Sequence, residues 1–257
     1  MAAEPLLEIR ELSRSFGGLK AVNHVSFTVP TGSIKSVIGP NGAGKTTLFN
    51  LISGMLPCDA GSVHQNGKDI TGLRPHKIAE LGICRTFQTT KLFARMTVLE
   101  NVMVGRHSRT KAGFLSGVLN LPWTWKEERE IRERSADLLD TLGLADAAGE
   151  LASNLPFGKQ RLLEIARALA TEPSLLLLDE PAAGLNIYET REMADLVLKI
   201  RGGGITVLLV EHDMSLVMDI SDEIVVLNYG SMVAEGKPEE IQRDPEVIRI
   251  YLGGEHA

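Results

Sequence analysis

Eight consecutive residues, Gly39-Pro40-Asn41-Gly42-Ala43-Gly44-Lys45-Thr46, combine three glycines with a closing Lys-Thr pair. Glycines let a backbone turn its amides inward around an anion, and the lysine and hydroxyl that follow add a charge and a hard oxygen ligand. The pattern predicts a loop that wraps a triphosphate, with Lys45 bridging the outer two phosphates and Thr46 ligating Mg²⁺. A carboxylate pair, Asp179-Glu180, closes the apolar run Leu175 to Leu178. The end of a buried parallel strand is where α/β sheets bind ligands. There Asp179 would hold a water on Mg²⁺, and Glu180 would polarise the attacking water.

These groups need a scaffold. Ile34 to Ile38 reads as a buried strand leading into the loop, and Lys45 to Ser53 as a helix whose open N-terminal amides favour an anion. Leu175 to Leu178 and Ile205 to Val210 are continuous apolar runs, as expected of parallel strands covered on both faces. Between them Asn186 and Glu189 open a helix that Gly202-Gly203-Gly204 ends. Leu7-Glu8-Ile9-Arg10 and Val25 to Val29 alternate as half-exposed strands, and Asn66-Gly67 marks a tight hairpin, so an antiparallel sheet should lie beside the loop. Beyond Gln88 the pattern becomes helical. Thr97-Val98-Leu99-Glu100 fits a capping box, and an amphipathic run from Glu127 to Leu142 stops at Gly143.

A chain of 257 residues can bury one substantial α/β core with a smaller lobe. A formal charge of −6 argues against a nucleic-acid surface. Cys58 and Cys84 form no metal spacing; they could pair as one disulfide or stay reduced. Met1 to Glu11 carries Glu4, Glu8 and Glu11 and lacks a secretory pattern, and no apolar run approaches a membrane-spanning length. Any connection to a membrane should run through a partner.

The segment Leu155-Pro156-Phe157-Gly158-Lys159-Gln160-Arg161, shortly before the carboxylate pair, occupies the place of a signature motif, and with the loop and the strand ends it makes the chain resemble the ATP-binding-cassette (ABC) ATPases over nearly its whole length. In that family the signature presses on the γ-phosphate held by the other subunit's phosphate loop. Pro156 here replaces a usual serine, Phe157 a glycine and Lys159 a glutamine. Proline brings no hydroxyl but suits a first helical turn, so Gly158 and the helix dipole could still serve the phosphate. The resemblance implies ATP and Mg²⁺ as ligands. It extends the nucleotide-binding set to Gly39, Pro40, Asn41, Gly42, Ala43, Gly44, Lys45, Thr46 and Thr47 in one subunit, and Phe157, Gly158, Lys159 and Gln160 from the other. Gln88 matches the glutamine that touches both Mg²⁺ and the membrane partner, and His212 the switch histidine that reads the γ-phosphate. Ala183-Gly184-Leu185-Asn186 matches the loop that crosses to the opposite subunit, with Asn186 in place of aspartate. Phe16 sits where an aromatic stacks on adenine, or else it packs in the core.

The implied fold is α/β: a single cassette with a RecA-like P-loop NTPase core and antiparallel β part at about 1–89 and 156–257, and a helical subdomain at about 90–155. Thr86-Phe87-Gln88, Leu92-Phe93, Met96 to Val102, Glu164-Ile165-Ala166-Arg167, Pro181 to Asn186 and Tyr251-Leu252-Gly253-Gly254 most resemble the ATP-binding subunits of bacterial branched-chain amino acid importers. An extra segment from Arg106 to Trp125, holding both tryptophans, also fits that subfamily; it could touch a permease or lipid headgroups, or be an ordinary packed excursion. Such importers join two integral-membrane permeases and two ATPase subunits, identical or paralogous, with an external substrate-binding protein. The ATPases lie at the cytoplasmic face of the inner membrane. The rival readings are the ATPase of another ABC system, such as lipopolysaccharide export, and a non-transport cassette protein.

Overall fold

The structure, a computed structural model, describes residues 5–86, 91–107 and 122–252. Gln88, most of the 106–125 segment and Gly253-Gly254 lie outside them. The chain divides into two compact units, one formed by residues up to Arg85 together with those from Ser174 onward, the other by Thr86–Pro173.

The first unit is built on a six-stranded sheet. Its central strands β3 (Ile34–Ile38), β7 (Leu175–Asp179) and β8 (Thr206–Val210) are buried at every residue, which is why β7 and β8 read as near-continuous apolar runs, whereas β3 carries Lys35 and Ser36. With β6 (Ile83–Arg85), β9 (Glu223–Asn228) and β10 (Ser231–Gly236) the order is β10-β9-β3-β8-β7-β6, parallel except for β10. β3 carries a charge into the interior: Lys35 is 0% exposed, and its ammonium donates to the Thr28 carbonyl at 2.7 Å and to the carboxylates of Glu223 and Glu235. The central strand is thereby fastened to β9 and β10.

A four-stranded antiparallel sheet, β2-β1-β4-β5, comprises β1 (Pro5–Phe16), β2 (Leu19–Pro30), β4 (Ala60–Gln65) and β5 (Lys68–Asp69). Asn66 and Gly67 take φ of 48° and 73°, the paired left-handed residues that the predicted tight hairpin requires. Leu7, Ile9, Val25 and Phe27 of this sheet share one core with Phe49 and Ile52 of α1 (Lys45–Ile52) and with Leu177 and Leu208. Helix α2 (Pro75–Glu80) covers the β6 side through Ile78.

In the second unit, α3 (Val98–His107), α4 (Pro122–Thr141) and α5 (Phe157–Leu169) pack together. The predicted capping box forms: the Thr97 amide donates to Glu100 Oε2 at 2.7 Å, and the Glu100 amide to Thr97 Oγ1 at 3.2 Å. Ile131, Ser135 and Leu139, spaced by four, form the buried stripe of α4. That helix starts at Pro122 rather than Glu127, and Gly143 ends it at φ 68°. The unit also extends past the expected limit of residue 155, because α5 belongs with it. A methyl group on Gly105 of α3 would meet the Arg167 carbonyl oxygen at 2.2 Å, so the two backbones are in contact.

Three helices follow β7 and β8 in the first unit besides α6 (Ile187–Gly202): α7 (Met214–Ile220), α8 (Pro238–Ile241) and α9 (Pro245–Leu252). Among the described residues no helix is long and apolar enough to cross a membrane. The cap of α6 is complete, with Asn186 Oδ1 accepting from the Tyr188 and Glu189 amides at 2.9 and 3.0 Å while the Glu189 carboxylate accepts from the Asn186 amide at 2.9 Å. Asn186→Ala should cost about 1 kcal/mol and lower the thermal midpoint by roughly 2–4 °C. Asn186→Asp should leave it unchanged, and calorimetry of the purified chain checks both.

Candidate functional site

The sheet order sets β3 beside β8, and β8 beside β7, so the segments that leave their carboxyl ends emerge next to one another. From β3 comes the glycine loop. Gly39 has φ 149°, and a Cβ there would lie 2.1 Å from the Leu227 carbonyl oxygen; at Gly44, φ 104°, it would lie 2.3 Å from the Ala21 carbonyl oxygen. Gly42, at φ 81°, faces open space. Two glycines are thus demanded by the neighbouring backbone and the third by its dihedral alone. The Gly230 amide donates to the Ala43 carbonyl at 3.0 Å and anchors the loop to the turn after β9. Ala43 is buried in the core, so only its backbone can serve a ligand, whereas Asn41, Gly42 and Thr46 are exposed and Pro40 and Thr47 half-buried. No side chain caps α1 and no acidic residue lies in its first turn, which leaves its amides available to an anion.

Lys45 is buried and donates to the carbonyls of Gly39 at 2.6 Å and Pro40 at 3.1 Å. Burial pulls its ammonium below the usual lysine range, against Glu180, Asp179 and Glu211, which favour the charge. Asp179, 1% exposed, accepts from Arg85 at 2.7 Å. Arg85 also donates to Asn50 Oδ1 of α1 at 2.7 Å and to Oγ of its C-cap residue Ser53 at 3.0 Å, and lies 5.6 Å from the Phe49 ring centre. The carboxylate at the end of β7 is therefore fixed to the helix that follows the loop. Glu180 adopts φ 49°, a left-handed conformation that costs a non-glycine residue about 1 kcal/mol or more. Its amide donates to the Val210 carbonyl at 2.9 Å, and its carbonyl accepts from the Ala183 amide at 3.2 Å. The backbone is thus held in that strained turn from both sides.

From β8 come Glu211 and His212. His212 Nδ1 is 3.9 Å from Glu180 Oε1 and 3.9 Å from Glu211 Oε2, and the histidine side chain is 57% exposed. Asp213 caps α7 by accepting from the Ser215 and Leu216 amides at 2.9 and 3.2 Å. Glu211 was not singled out by sequence reasoning; the available signal is a glutamate closing an apolar strand next to the histidine. It is 1% exposed, and its two oxygens accept from the Ala182 amide at 2.8 Å and the His212 amide at 3.1 Å. Burial pushes its carboxyl above the usual range, while those amides, that of Asp213 and the His212 ring pull it back. Arg85 was likewise overlooked, since nothing local marks it. Tyr251 of α9 sets its buried hydroxyl toward the Gly39 amide without reaching hydrogen-bond geometry, and burial pushes the phenol up to about 12.

Phe16 ends β1 and is 45% exposed with the Arg14 guanidinium 5.2 Å from its ring, so it is not a core residue. In the second unit, Pro156 takes the N-cap position of α5 and offers no side-chain cap. Phe157 is exposed beside the Arg161 guanidinium at 5.3 Å, Gly158 is half-buried, and Lys159 is exposed. Gln160 Nε2 turns back to donate to the Leu155 carbonyl at 2.9 Å. The helix start therefore offers backbone amides rather than a hydroxyl.

The loop geometry separates three glycines that look alike in sequence. Gly42→Ala should lose about 1 kcal/mol, the cost of a left-handed alanine, whereas Gly39→Ala and Gly44→Ala should lose more than about 3 kcal/mol by collision with backbone. Denaturant midpoints of the three variants test that order.

The ABC transporter family model matches residues 22–183, and a second model, branched-chain amino acid ATP-binding cassette transporter, matches residues 231–257. The chain is 47% identical over 252 residues to the high-affinity branched-chain amino acid transport ATP-binding protein LivG of Salmonella typhimurium, covering 98% of this chain and 99% of the relative. The figures are the same for BraF of Pseudomonas aeruginosa, which carries the same description. A probable LivG of Archaeoglobus fulgidus is 42% identical over 97% of this chain and 96% of its own. Among solved structures, the ADP conformation of an ATP-binding cassette of an ABC transporter superposes with a TM-score of 0.85 at 35% identity, covering 98% of this chain and 100% of that one. A nucleotide-free cassette gives 0.84 at 36% identity, with 96% and 98% covered. Similarity of this extent, at both sequence and fold level, means that the chain belongs to the ABC transporter family, among its ATP-binding subunits.

Proposed function

We propose that this chain is the ATP-hydrolysing subunit that powers a branched-chain amino acid importer, and that Gly39 to Thr47, Asp179, Glu180 and His212 form its catalytic half-site. The observation that carries the reading is the emergence of these segments from the carboxyl ends of three neighbouring buried strands. The loop and α1 amides bind the phosphates, and Lys45 leaves the Gly39 and Pro40 carbonyls to lie between the outer two. The Thr46 hydroxyl and the Asp179 carboxylate are hard oxygen donors, few in number, which suits Mg²⁺, an ion that completes its shell from phosphates and water. When bound, that ion neutralises charge on the phosphate oxygens.

Glu180 takes the proton of the water whose oxygen attacks the terminal phosphorus, while the bond to the departing ADP oxygen breaks. His212, within 3.9 Å of that carboxylate, donates to the terminal phosphate and reports its presence. Each chain supplies one loop and one Leu155 to Gln160 segment, so a second ATPase subunit completes the site with its own Phe157, Gly158, Lys159 and Gln160. Closure of the pair passes to two membrane permeases through Gln88, and an external binding protein delivers the amino acid. The subunit sits peripherally on the cytoplasmic face of the membrane, attached through those permeases.

Glu180→Gln should retain ATP affinity, lose hydrolysis by at least about 100-fold and accumulate ATP-bound dimers, because the amide cannot take the proton while the cradle stays intact. Lys45→Ala should instead weaken binding itself. Hydrolysis and sedimentation measured together decide this, and near-normal turnover by Glu180→Gln would remove that residue from its role. In reconstituted vesicles, Gln88→Ala should reduce amino acid uptake more than it reduces ATP affinity; uptake at the wild-type level would move the transmission route elsewhere.

A further inference from the structure

The carboxylate of Glu211 joins two functional loops by their backbones. One oxygen accepts from Ala182, in the segment between Glu180 and Asn186, and the other from His212. The side chain is 1% exposed, so these bonds form away from competing water. Its charge acts on Lys45 from α1, the His212 ring lies 3.9 Å away, and the Asp213 backbone amide also favours the ionised carboxylate. Ala182 lies two residues beyond Glu180, whose own amide is tied to the Val210 carbonyl one residue before Glu211.

We propose that Glu211 is a positioning residue for hydrolysis, a brace that makes the Glu180-to-Asn186 loop and the His212 loop move as one body. This rests on the roles given above to Glu180 and His212. An ionised carboxylate offers acceptors to both amides, which is what the geometry uses. A glutamine of the same size has one acceptor oxygen, and its NH₂ group would face a backbone N–H, donor against donor. One of the two loops is then released, and misplacement of catalytic groups by about 1 Å can cost on the order of 100-fold in rate. The phosphate loop makes none of the hydrogen bonds to this carboxylate, whose charge reaches Lys45 only through space, so loss of the brace acts on turnover more than on nucleotide binding.

The experiment compares Glu211→Gln, Glu211→Asp, His212→Ala and the double variant Glu211→Gln/His212→Ala in the full-length chain, with kcat and KM for ATP and the thermal midpoint measured for each. Glu211→Gln should lower kcat by about 10- to 100-fold with KM within about twofold, and Glu211→Asp, which keeps the charge but withdraws it by one methylene, should also lower kcat. In the His212→Ala background the part of the Glu211→Gln effect that acts through the imidazole should vanish, because the residue 212 amide is still braced but no longer carries the ring that the brace positions, and what remains is the share that acts through Ala182. Full kcat in a folded Glu211→Gln protein, or a loss that multiplies independently with that of His212→Ala, would overturn the proposal. Normal hydrolysis by His212→Ala and Glu180→Gln themselves would instead overturn the underlying site assignment, so the two failures are distinct. Hydrogen exchange of the wild-type chain is a check that needs no variant: the Ala182 and His212 amides should open together, and unrelated opening free energies would contradict the brace.

Discussion

Parallel pairing at the centre of the large sheet sets Val37 of β3 and Asp179 of β7 both opposite Val210 of β8. Everything chemical in the chain depends on that register. A slip of one residue in either ladder would move a strand end by about 3.3 Å and turn its side chains to the other face. The loop, the carboxylates and the histidine would then no longer share one site. Complete burial of the three strands makes such a slip costly, since every residue of each has a specific place in the core.

On this frame the site concentrates charge. Lys45 lies in the field of Asp179, Glu180 and Glu211, and Arg85 is bonded to Asp179, so cations of the loop side and acids of the strand ends hold one another in place. The arrangement suits a polyanionic ligand whose charge needs a cationic cradle on one side and a proton acceptor on the other. Strain is present where chemistry is assigned: Glu180 keeps φ 49° because the Val210 carbonyl and the Ala183 amide over-determine its backbone. The Glu211 carboxylate extends that control one loop further.

Features with local causes were legible in the sequence. The Asn186–Glu189 and Thr97–Glu100 caps, the Asn66-Gly67 turn and the buried strands form where propensity and periodicity place them. The glycine loop was legible because few chemistries demand its spacing. What escaped depends on contacts distant in sequence. Lys35 looks like an interruption in an apolar strand, and only its bonds to Glu223 and Glu235 explain it. Arg85 and Glu211 acquire roles from partners 94 and 29 residues away. Helix α5 leads directly toward β7 in sequence, yet the close approach of Gly105 to the Arg167 carbonyl places it in the other compact unit.

Each chain contributes a phosphate loop and a Leu155 to Gln160 segment, and the central claim is that a working site takes one from each of two chains. The direct measurement mixes two inactive variants, Lys45→Ala with a spoiled loop and Gly158→Asp with a spoiled signature, and follows ATP hydrolysis. Mixed dimers contain one intact site, built from the loop of one chain and the signature of the other, so activity should appear on mixing in the proportion set by random pairing. If the mixture stays as inactive as either variant alone while mixed dimers are seen to form, the site does not cross between chains and the account is wrong.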